Sequence, residues 1–303
     1  MSLLIVANPI SGKGIFEKVR PEIEDHLRKR NVEFEIWSWD EAQAIDEMMQ
    51  KAVSRGFKKI AAAGGDGTVH HVGKRLIGTD VLFGVLPIGT GNGIANHFGL
   101  PRRIKSCLDL LVEPATVRVD TGLMNDEPFL GFAGIGGYDA YTAHRFAAEK
   151  RRTFSRYVKI ALESYKAVPP RSFRLTIFPP EGQSYVATER LTALAALNTS
   201  QFGNGMTIAR GERAGDGVFS LCTLSAPPAW YIPVFALKTF TRTLGDGDHY
   251  AKRRRVVRVL VEWSGGGIAQ LDGEPAHVAD EVEIRLRPQS LTFIVPPRVR
   301  DGV

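Results

Sequence analysis

Gly64-Gly65-Asp66-Gly67-Thr68 follows directly on the apolar run Ile60-Ala61-Ala62-Ala63. That junction constrains the fold more than any other stretch of the chain. A short, continuous apolar run bounded by glycine reads as a strand buried on both faces. Glycines around one carboxylate at its end permit positive φ and let the backbone approach a ligand that a Cβ would keep away. Successive backbone N–H groups in such a loop can form an anion-binding concavity.

The pattern occurs twice more. Residues 81–86 run into Pro87-Ile88-Gly89-Thr90-Gly91-Asn92, and 3–7 run into Asn8-Pro9-Ile10-Ser11-Gly12-Lys13-Gly14. Between the runs, apolar residues recur at helical spacing: Phe16, Val19, Ile23 and Leu27, then Ala44, Ile45, Met48, Met49, Ala52 and Val53. Pro21 either kinks the first helix or starts its main part. Val32, Phe34 and Ile36 alternate with polar neighbours as a strand does. Such alternation of strand and helix predicts a parallel sheet covered by helices. Ligands of these sheets sit beyond the carboxyl ends of the strands, where all three glycine loops fall.

Beyond residue 125 the texture changes. Helices are expected near 139–150, 155–167 and 229–243. Short alternating runs at 173–177, 191–197, 218–224, 256–263, 282–286 and 291–295 are separated by turn residues. The expectation is an α/β nucleotide-binding domain with a parallel sheet over 1–125, to which 290–303 can return. An antiparallel β-sandwich domain covers 126–290. A length of 303 residues accords with two domains. A hydrophobic content of 44% with 24% charged residues excludes a disordered chain. Only Cys107 and Cys222 are present, which gives no zinc pattern and no disulfide framework and suits a reducing, cytoplasmic setting. The start reads as a buried strand and not as a signal peptide. No apolar run approaches the ~20 residues of a membrane span. The net charge of +6 suggests attraction to something acidic.

Neighbouring phosphate-type loops point to one nucleotide site. Phosphoryl transfer needs a cradle for phosphates, a divalent cation and a base for the attacking hydroxyl. The loops supply the cradle, and Asp66 can hold Mg²⁺ directly or through water. Thr68 and Thr90 offer hydroxyls and can cap the following helices, whose N-termini favour phosphate. Each loop taken alone is also an ordinary tight turn. Gly12-Lys13-Gly14 lacks the hydroxyl residue that ends a Walker A loop, which leaves Lys13 as a phosphate contact or a solvated surface lysine. Downstream, Leu271-Asp272-Gly273-Glu274 sets two carboxylates around a glycine. Asp272 can activate a hydroxyl while Glu274 addresses metal or nucleotide; an Asp-Gly hairpin turn is the plainer account. His70-His71 resembles a metal pair, but adjacent helical residues point about 100° apart.

In this order, Asn-Pro-x-Ser-Gly at 8–12, Gly-Gly-Asp-Gly-Thr at 64–68, Pro-x-Gly-Thr-Gly-Asn at 87–92 and Leu-Asp-Gly-Glu at 271–274 resemble the diacylglycerol kinase catalytic-domain family. That family includes sphingosine and ceramide kinases and bacterial lipid kinases. Gly134-Ile135-Gly136-Gly137-Tyr138-Asp139, Asn198, Phe202-Gly203 and Asp216-Gly217 resemble its later landmarks. The motif at 64–68 alone is shared with NAD kinases and phosphofructokinases.

The resemblance implies an ATP-dependent kinase that phosphorylates a lipid hydroxyl, diacylglycerol-like or sphingoid. ATP would be bound by the N-terminal domain and the interdomain cleft, and the lipid by the β domain. The nucleotide residues would be Asn8, Ser11, Lys13, Gly64, Gly65, Asp66, Gly67, Thr68, Gly89, Thr90, Gly91, Asn92 and Glu274. Asp272 would be the base, Asp139 would lie near the acceptor head group, and Asp66 would organise Mg²⁺. A second, structural cation would sit near Asp216, although Arg213 stands where a further carboxylate is expected and Gly215 replaces a common aspartate. Gly93 follows Asn92 where many bacterial members carry aspartate, which is closer to sphingosine-kinase-like sequences, and His70-His71 replaces a frequent Asn-Glu pair.

A lipid acceptor implies peripheral contact with a membrane surface. Lys150-Arg151-Arg152 and Lys252-Arg253-Arg254-Arg255 can meet anionic headgroups, and Trp230-Tyr231 can sit at the interface. Solvated charge runs and a helix docked on the β domain account for these features equally well. Neither cluster sits in a nucleic-acid-binding module, and a homodimer stays open. Two rivals remain: an NAD kinase-like phosphotransferase, opposed by the first and last motifs, and a silent nucleotide-binding sensor, opposed by the retention of Asp66, Asp272 and Glu274.

Overall fold

Leu3–Ala7 (β1) has no exposed surface at any of its five residues, so both faces of this strand must be covered. In the computed structural model, which describes all residues except 1, 40–41, 150–153, 202–204, 246, 265–266 and 300–303 and the side chains of 13, 42–44 and 154, Ile15–Lys29 (α1) supplies Phe16, Ile23 and Leu27 to one of those faces. Pro21 lies inside α1 without ending it. The alternation continues through Phe34–Ser38 (β2), Ala42–Ser54 (α2), Lys59–Gly64 (β3), Asp66–Gly73 (α3), Leu82–Pro87 (β4), Gly93–His97 (α4) and Ile104–Val112 (α5). The four strands pair in parallel in the order β2-β1-β3-β4.

The chain divides into two compact units, Met1–Val119 with Gln289–Val303, and Asp120–Pro288. The strands that follow are Ala115–Met124 (β5), Glu127–Phe129 (β6) and Phe132–Ile135 (β7). Helices Tyr138–Ala147 (α6) and Phe154–Ala167 (α7) precede Arg171–Phe178 (β8), Tyr185–Leu197 (β9) and Phe219–Ser225 (β10). Tyr231–Phe240 (α8) leads to Ala251–Val256 (β11), Arg258–Trp263 (β12), Gly267–Leu271 (β13), Glu274–Val278 (β14) and Glu281–Val295 (β15).

Pairing within the second unit is antiparallel, and β9 organises it. The first half of β9 pairs with β8; its second half runs between β10 and β7. Side chains alternate along a strand, so Leu194 and Ala196 enter the core with Phe219 and Leu221 of β10. Ala193 and Ala195 face the other way.

Residues 282–286 and 291–295, expected as two strands, form the single strand β15. Its start pairs with β12, whereas Thr292 and Phe293 lie parallel to β4. Gln289, with φ +43°, is where this strand leaves the second unit and enters the first. The basic run 252–255 is strand β11 and its charges are dispersed. Arg254 pairs with Glu189, Arg255 with Asp216, and Arg253 donates to the Arg210 carbonyl. Lys150-Arg151-Arg152 and Phe202-Gly203 lie outside the described residues.

Candidate functional site

In the first unit the three glycine loops touch one another. A Cβ on Gly12 would come within 2.1 Å of the Ile88 carbonyl oxygen, and one on Gly89 within 2.3 Å of Gly65 Cα. A Cβ on Gly64 would meet Thr68 Oγ1 at 2.1 Å. Glycine is thus required here for loop to pack on loop. Ser11 Oγ and Thr68 Oγ1 lie 3.3 Å apart, and the Ile88 and Gly89 amides both donate to the Gly64 carbonyl. The Asn8 side chain accepts the Ile10 amide at 3.1 Å and shapes its own loop.

Asp66 opens α3, and its Oδ1 accepts the Gly93 amide at 2.6 Å. Gly67 and Thr68 follow in the same first turn. Asn92 adopts φ +52° and donates through Nδ2 to the Gly89 carbonyl, while the Gly91 carbonyl accepts from Asn96. Thr90 is exposed. Neither threonine is a cap: Gly65 precedes α3 and Asn92 precedes α4, and Thr68 is buried within α3. Lys13 ends the short turn Ser11–Lys13, and its side chain is outside the described part of the chain.

α1 and α3 start at the ends of adjacent parallel strands, behind Gly14 and Gly65, with no side chain capping either helix. Their first amides carry the positive end of the helix dipole, which favours phosphate. A polyphosphate fits this set. Mg²⁺ commonly takes one or two carboxylates with phosphate and water completing its shell, and Asp66 would supply the carboxylate. His70 and His71 contact each other edge to face, and His71 also packs on Trp39. Burial, then the neighbouring His70, pushes His71 down to about 4.

In the second unit, Asp272-Gly273 is the two-residue turn of the β13–β14 hairpin, with φ +53° and +90°, and Glu274 pairs with Leu271. Positive φ at both positions is the favoured hairpin geometry. The Asp272 side chain nonetheless does more than turn the chain. Its Oδ2 accepts the Leu130 amide at 2.8 Å, and its Oδ1 accepts those of Gly131 and Phe132 at 2.7 and 2.9 Å. Asn198 donates to the Leu130 and Asp120 carbonyls. The segment 130–132 is thus gripped through its amides and its carbonyls. Sequence spacing carried no sign of this, because Asp272 and Leu130 are 142 positions apart.

Asp139 is the second residue of α6. A Cβ on Gly134 would lie 2.1 Å from its Oδ2, and one on Gly137 2.6 Å from its Oδ1. The glycines of 134–139 therefore make the room that the carboxylate fills. Both oxygens are buried, with the Ala140 and Asp139 amides and the Gln270 side chain beside them. Burial pushes the group up to about 6, against the pull of the nearby Ala140 and Asp139 amides and of Gln270.

Asp139 also lines a cavity of about 460 Å³. One wall is the face of β9, β10 and β11 turned away from the core, with Ala193, Ala195 and Leu224; Ala161 of α7 and Phe235 of α8 line other parts. Tyr231 is buried and bonded to Asp248, which corrects its assignment to an interfacial pair; only Trp230 is exposed, at 67%. Asp216 is held by Arg255 at 2.6 Å, with its backbone neighbour Gly217 donating to Asp120. Among the described residues no group of three or more His, Cys, Asp or Glu side chains is placed to hold a metal. A guanidinium already balances Asp216, so these residues do not fit a resident divalent ion there.

Comparison with known proteins agrees with the fold. Residues 2–124 match the family model described as the diacylglycerol kinase catalytic domain. A diacylglycerol kinase of Mycobacterium tuberculosis is 29% identical over 224 residues, 71% of each chain. A YegS-like lipid kinase of Pseudomonas putida is 28% identical over 284 residues, covering 92% of this chain and 91% of its own. The crystal structure of a Bacillus anthracis diacylglycerol kinase superposes with a TM-score of 0.72 at 18% identity, over 98% of both chains. Over residues 2–124 the chain is similar to the diacylglycerol kinase catalytic-domain family, and the likeness to lipid kinases extends over nearly the whole chain.

Proposed function

We propose that this protein is a Mg·ATP-dependent lipid kinase. The observation that carries the reading is the set of three interlocked glycine loops with two uncapped helix N-termini in the first unit. ATP would supply the transferable phosphoryl group and Mg²⁺ would offset its charge. The amides of α1 and α3 orient the phosphates. Asp66 holds the cation and, through Gly93, the loop after β4. Preorganised donors of this kind act where charge develops and need no rearrangement during the reaction.

The acceptor lipid occupies the cavity of the second unit, with its polar end at Asp139. Asp272 takes the proton from the attacking hydroxyl, a role supported by the Leu-Asp-Gly-Glu motif. Glu274 contributes to the nucleotide side. Peripheral association brings the lipid within reach; no described helix is long and apolar enough to cross a membrane.

The test is transfer of labelled γ-phosphate from Mg·ATP to a panel of lipids in mixed micelles, with NAD as a parallel acceptor. A labelled lipid is the expected result. Label on NAD alone would install the NAD kinase-like reading, and ATP binding without label on any acceptor would install the sensor.

A further inference from the structure

Gln270 lies one residue before the end of β13 and is 2% exposed. Side chains alternate along a strand, so Ala269 and Leu271 enter the core and Gln270 faces the other way. In the pairing of β13 with β7 it stands opposite Gly134. A Cβ there would lie 2.1 Å from Asp139 Oδ2 and 2.7 Å from Gln270 Nε2, so the two side chains meet over that glycine. The other end of the amide fixes which atom Asp139 meets. Gly273 donates its backbone N–H to Gln270 Oε1 at 2.8 Å, which leaves Nε2, a donor, for a carboxylate that accepts. The contact draws Asp139 toward its ionised form.

We propose that Gln270 is a positioning residue, which ties the Asp139 carboxylate on α6 to the Asp272-Gly273 turn and so sets where the Asp272 carboxylate meets the attacking hydroxyl. The proposal rests on the lipid-kinase reading and adds a residue to its machinery. The turn is held from two sides. Asp272 docks its side chain on the amides of 130–132, and Gly273 docks its amide on Gln270. α6 also holds the hairpin behind the turn. His144 Nε2 lies 3.0 and 3.1 Å from the carbonyl oxygens of Ala269 and Ala276, one on each strand. Both partners are acceptors, so Nε2 carries the proton. The helix that lines the cavity with Tyr138 and Asp139 is thus joined to both strands of the hairpin and to its turn. A base acts only within hydrogen-bond reach of the proton it takes, and a misplacement of about 1 Å can cost about 100-fold in rate.

The test reverses the pair. Gln270→Glu keeps an acceptor for Gly273 but sets carboxylate against carboxylate over Gly134. Asp139→Asn in the same chain restores a donor between them. Labelled transfer from Mg·ATP is measured on the full chain with the lipid that the wild type labels best, at a temperature where every variant is folded. Gln270→Glu should lower kcat by about 10-fold or more, while the KM for Mg·ATP stays within about twofold. In the Asp139→Asn background the same change should leave kcat within about twofold of Asp139→Asn alone, which a double-mutant cycle reads as coupling. Gln270→Met keeps the bulk without either hydrogen bond; it should lower kcat in both backgrounds and serves if Gln270→Glu does not fold. Amide exchange at Gly273 needs no turnover and should quicken by about tenfold or more in Gln270→Met. Equal losses from Gln270→Glu in the two backgrounds, or a lower melting temperature with kcat unchanged, would overturn the proposal and leave the kinase reading intact. A wild type that labels no lipid would remove the kinase reading, while faster Gly273 exchange in Gln270→Met would keep the hydrogen-bonded link. Unchanged exchange would remove the link itself.

Discussion

Asp66 and Gly93 are joined by a 2.6 Å hydrogen bond from the Gly93 amide to the Asp66 carboxylate. The bond comes from the backbone, so it does not depend on which side chain occupies position 93. It ties the first turn of α3 to the first turn of α4 and holds the two loops in register. Asp66 therefore has a structural task besides the cation proposed for it.

Asp66→Asn keeps an oxygen for the Gly93 amide and loses the charge. Its affinity for a non-hydrolysable ATP analogue should fall by about tenfold or more in the presence of Mg²⁺, with little change in thermal stability. Asp66→Ala removes the acceptor as well and should cost roughly 1–3 kcal/mol of stability. Titration calorimetry with and without Mg²⁺ separates the two. Unchanged Mg²⁺ dependence in the Asn variant would remove Asp66 from the metal role.

Gly89→Ala drives a Cβ to 2.3 Å from Gly65 Cα, backbone against backbone. Neither partner is a flexible side chain that can swing aside, so the loops must part. Overpacking of this kind costs about 1–3 kcal/mol, and nucleotide affinity should fall with it. Gly245→Ala places its Cβ in open space and is the matched control. Equal melting temperatures for the two variants would contradict the interlocked-loop account.

As a test of a general base, Asp272→Asn is chosen to preserve folding and stop turnover. The structure alters that expectation. Three amides converge on two carboxylate oxygens, and an asparagine has one acceptor oxygen. If that oxygen keeps Gly131 and Phe132, its NH₂ faces the Leu130 amide, donor against donor. The unsatisfied amide should cost about 1–3 kcal/mol. A base role adds a loss of turnover of about 10²–10⁴-fold, measured at a temperature where the variant is fully folded. A drop in melting temperature with turnover kept within a few-fold would leave Asp272 as a clamp on 130–132 and nothing more.

These cases show where the sequence was legible. The three loops could be found because each follows a continuous apolar strand, and clustered glycines at the end of a buried strand mark a tight turn that a ligand can approach. Their contact, Gly12 on Ile88 and Gly65 on Gly89, could not be read from spacing. In the second unit the long alternating strands were visible. β7, Phe132-Ala133-Gly134-Ile135, and β13, Gly267-Ile268-Ala269-Gln270-Leu271, were not. Their small residues erase the alternation, and their burial comes from tertiary pairing. The run at 252–255 shows in the sequence only as a block of charge, because the strand that sends Arg254 and Arg255 to different acidic partners is a tertiary feature. The role of Gly134 and Gly137 in seating Asp139 emerges only once α6 is placed beside them.

Glu212 supplies a pH test of the second unit. It is 6% exposed; Ser220 donates to its Oε2, and its Oε1 is buried without a partner. Burial pushes it up to about 7, with Asp216 adding to the rise, against the pull of Ser220, Arg255 and Arg253. The native state therefore keeps a proton that the unfolded chain has already lost at its ordinary value of 4.5. Stability falls wherever the folded state binds more protons as pH rises, so the penalty sets in above 4.5 and is complete above about 7. Glu212→Gln carries no charge to desolvate. It should gain up to about 3 kcal/mol on the wild type at pH 8, relative to their difference at pH 4.5. Asp139 acts in the same direction over a lower window, from its ordinary value of 3.8 to about 6, so the interval between pH 6 and 7 isolates Glu212. Urea unfolding at half-unit pH steps reads both windows. Parallel wild-type and Glu212→Gln curves between pH 6 and 7 would show that Glu212 is already ionised in the folded protein.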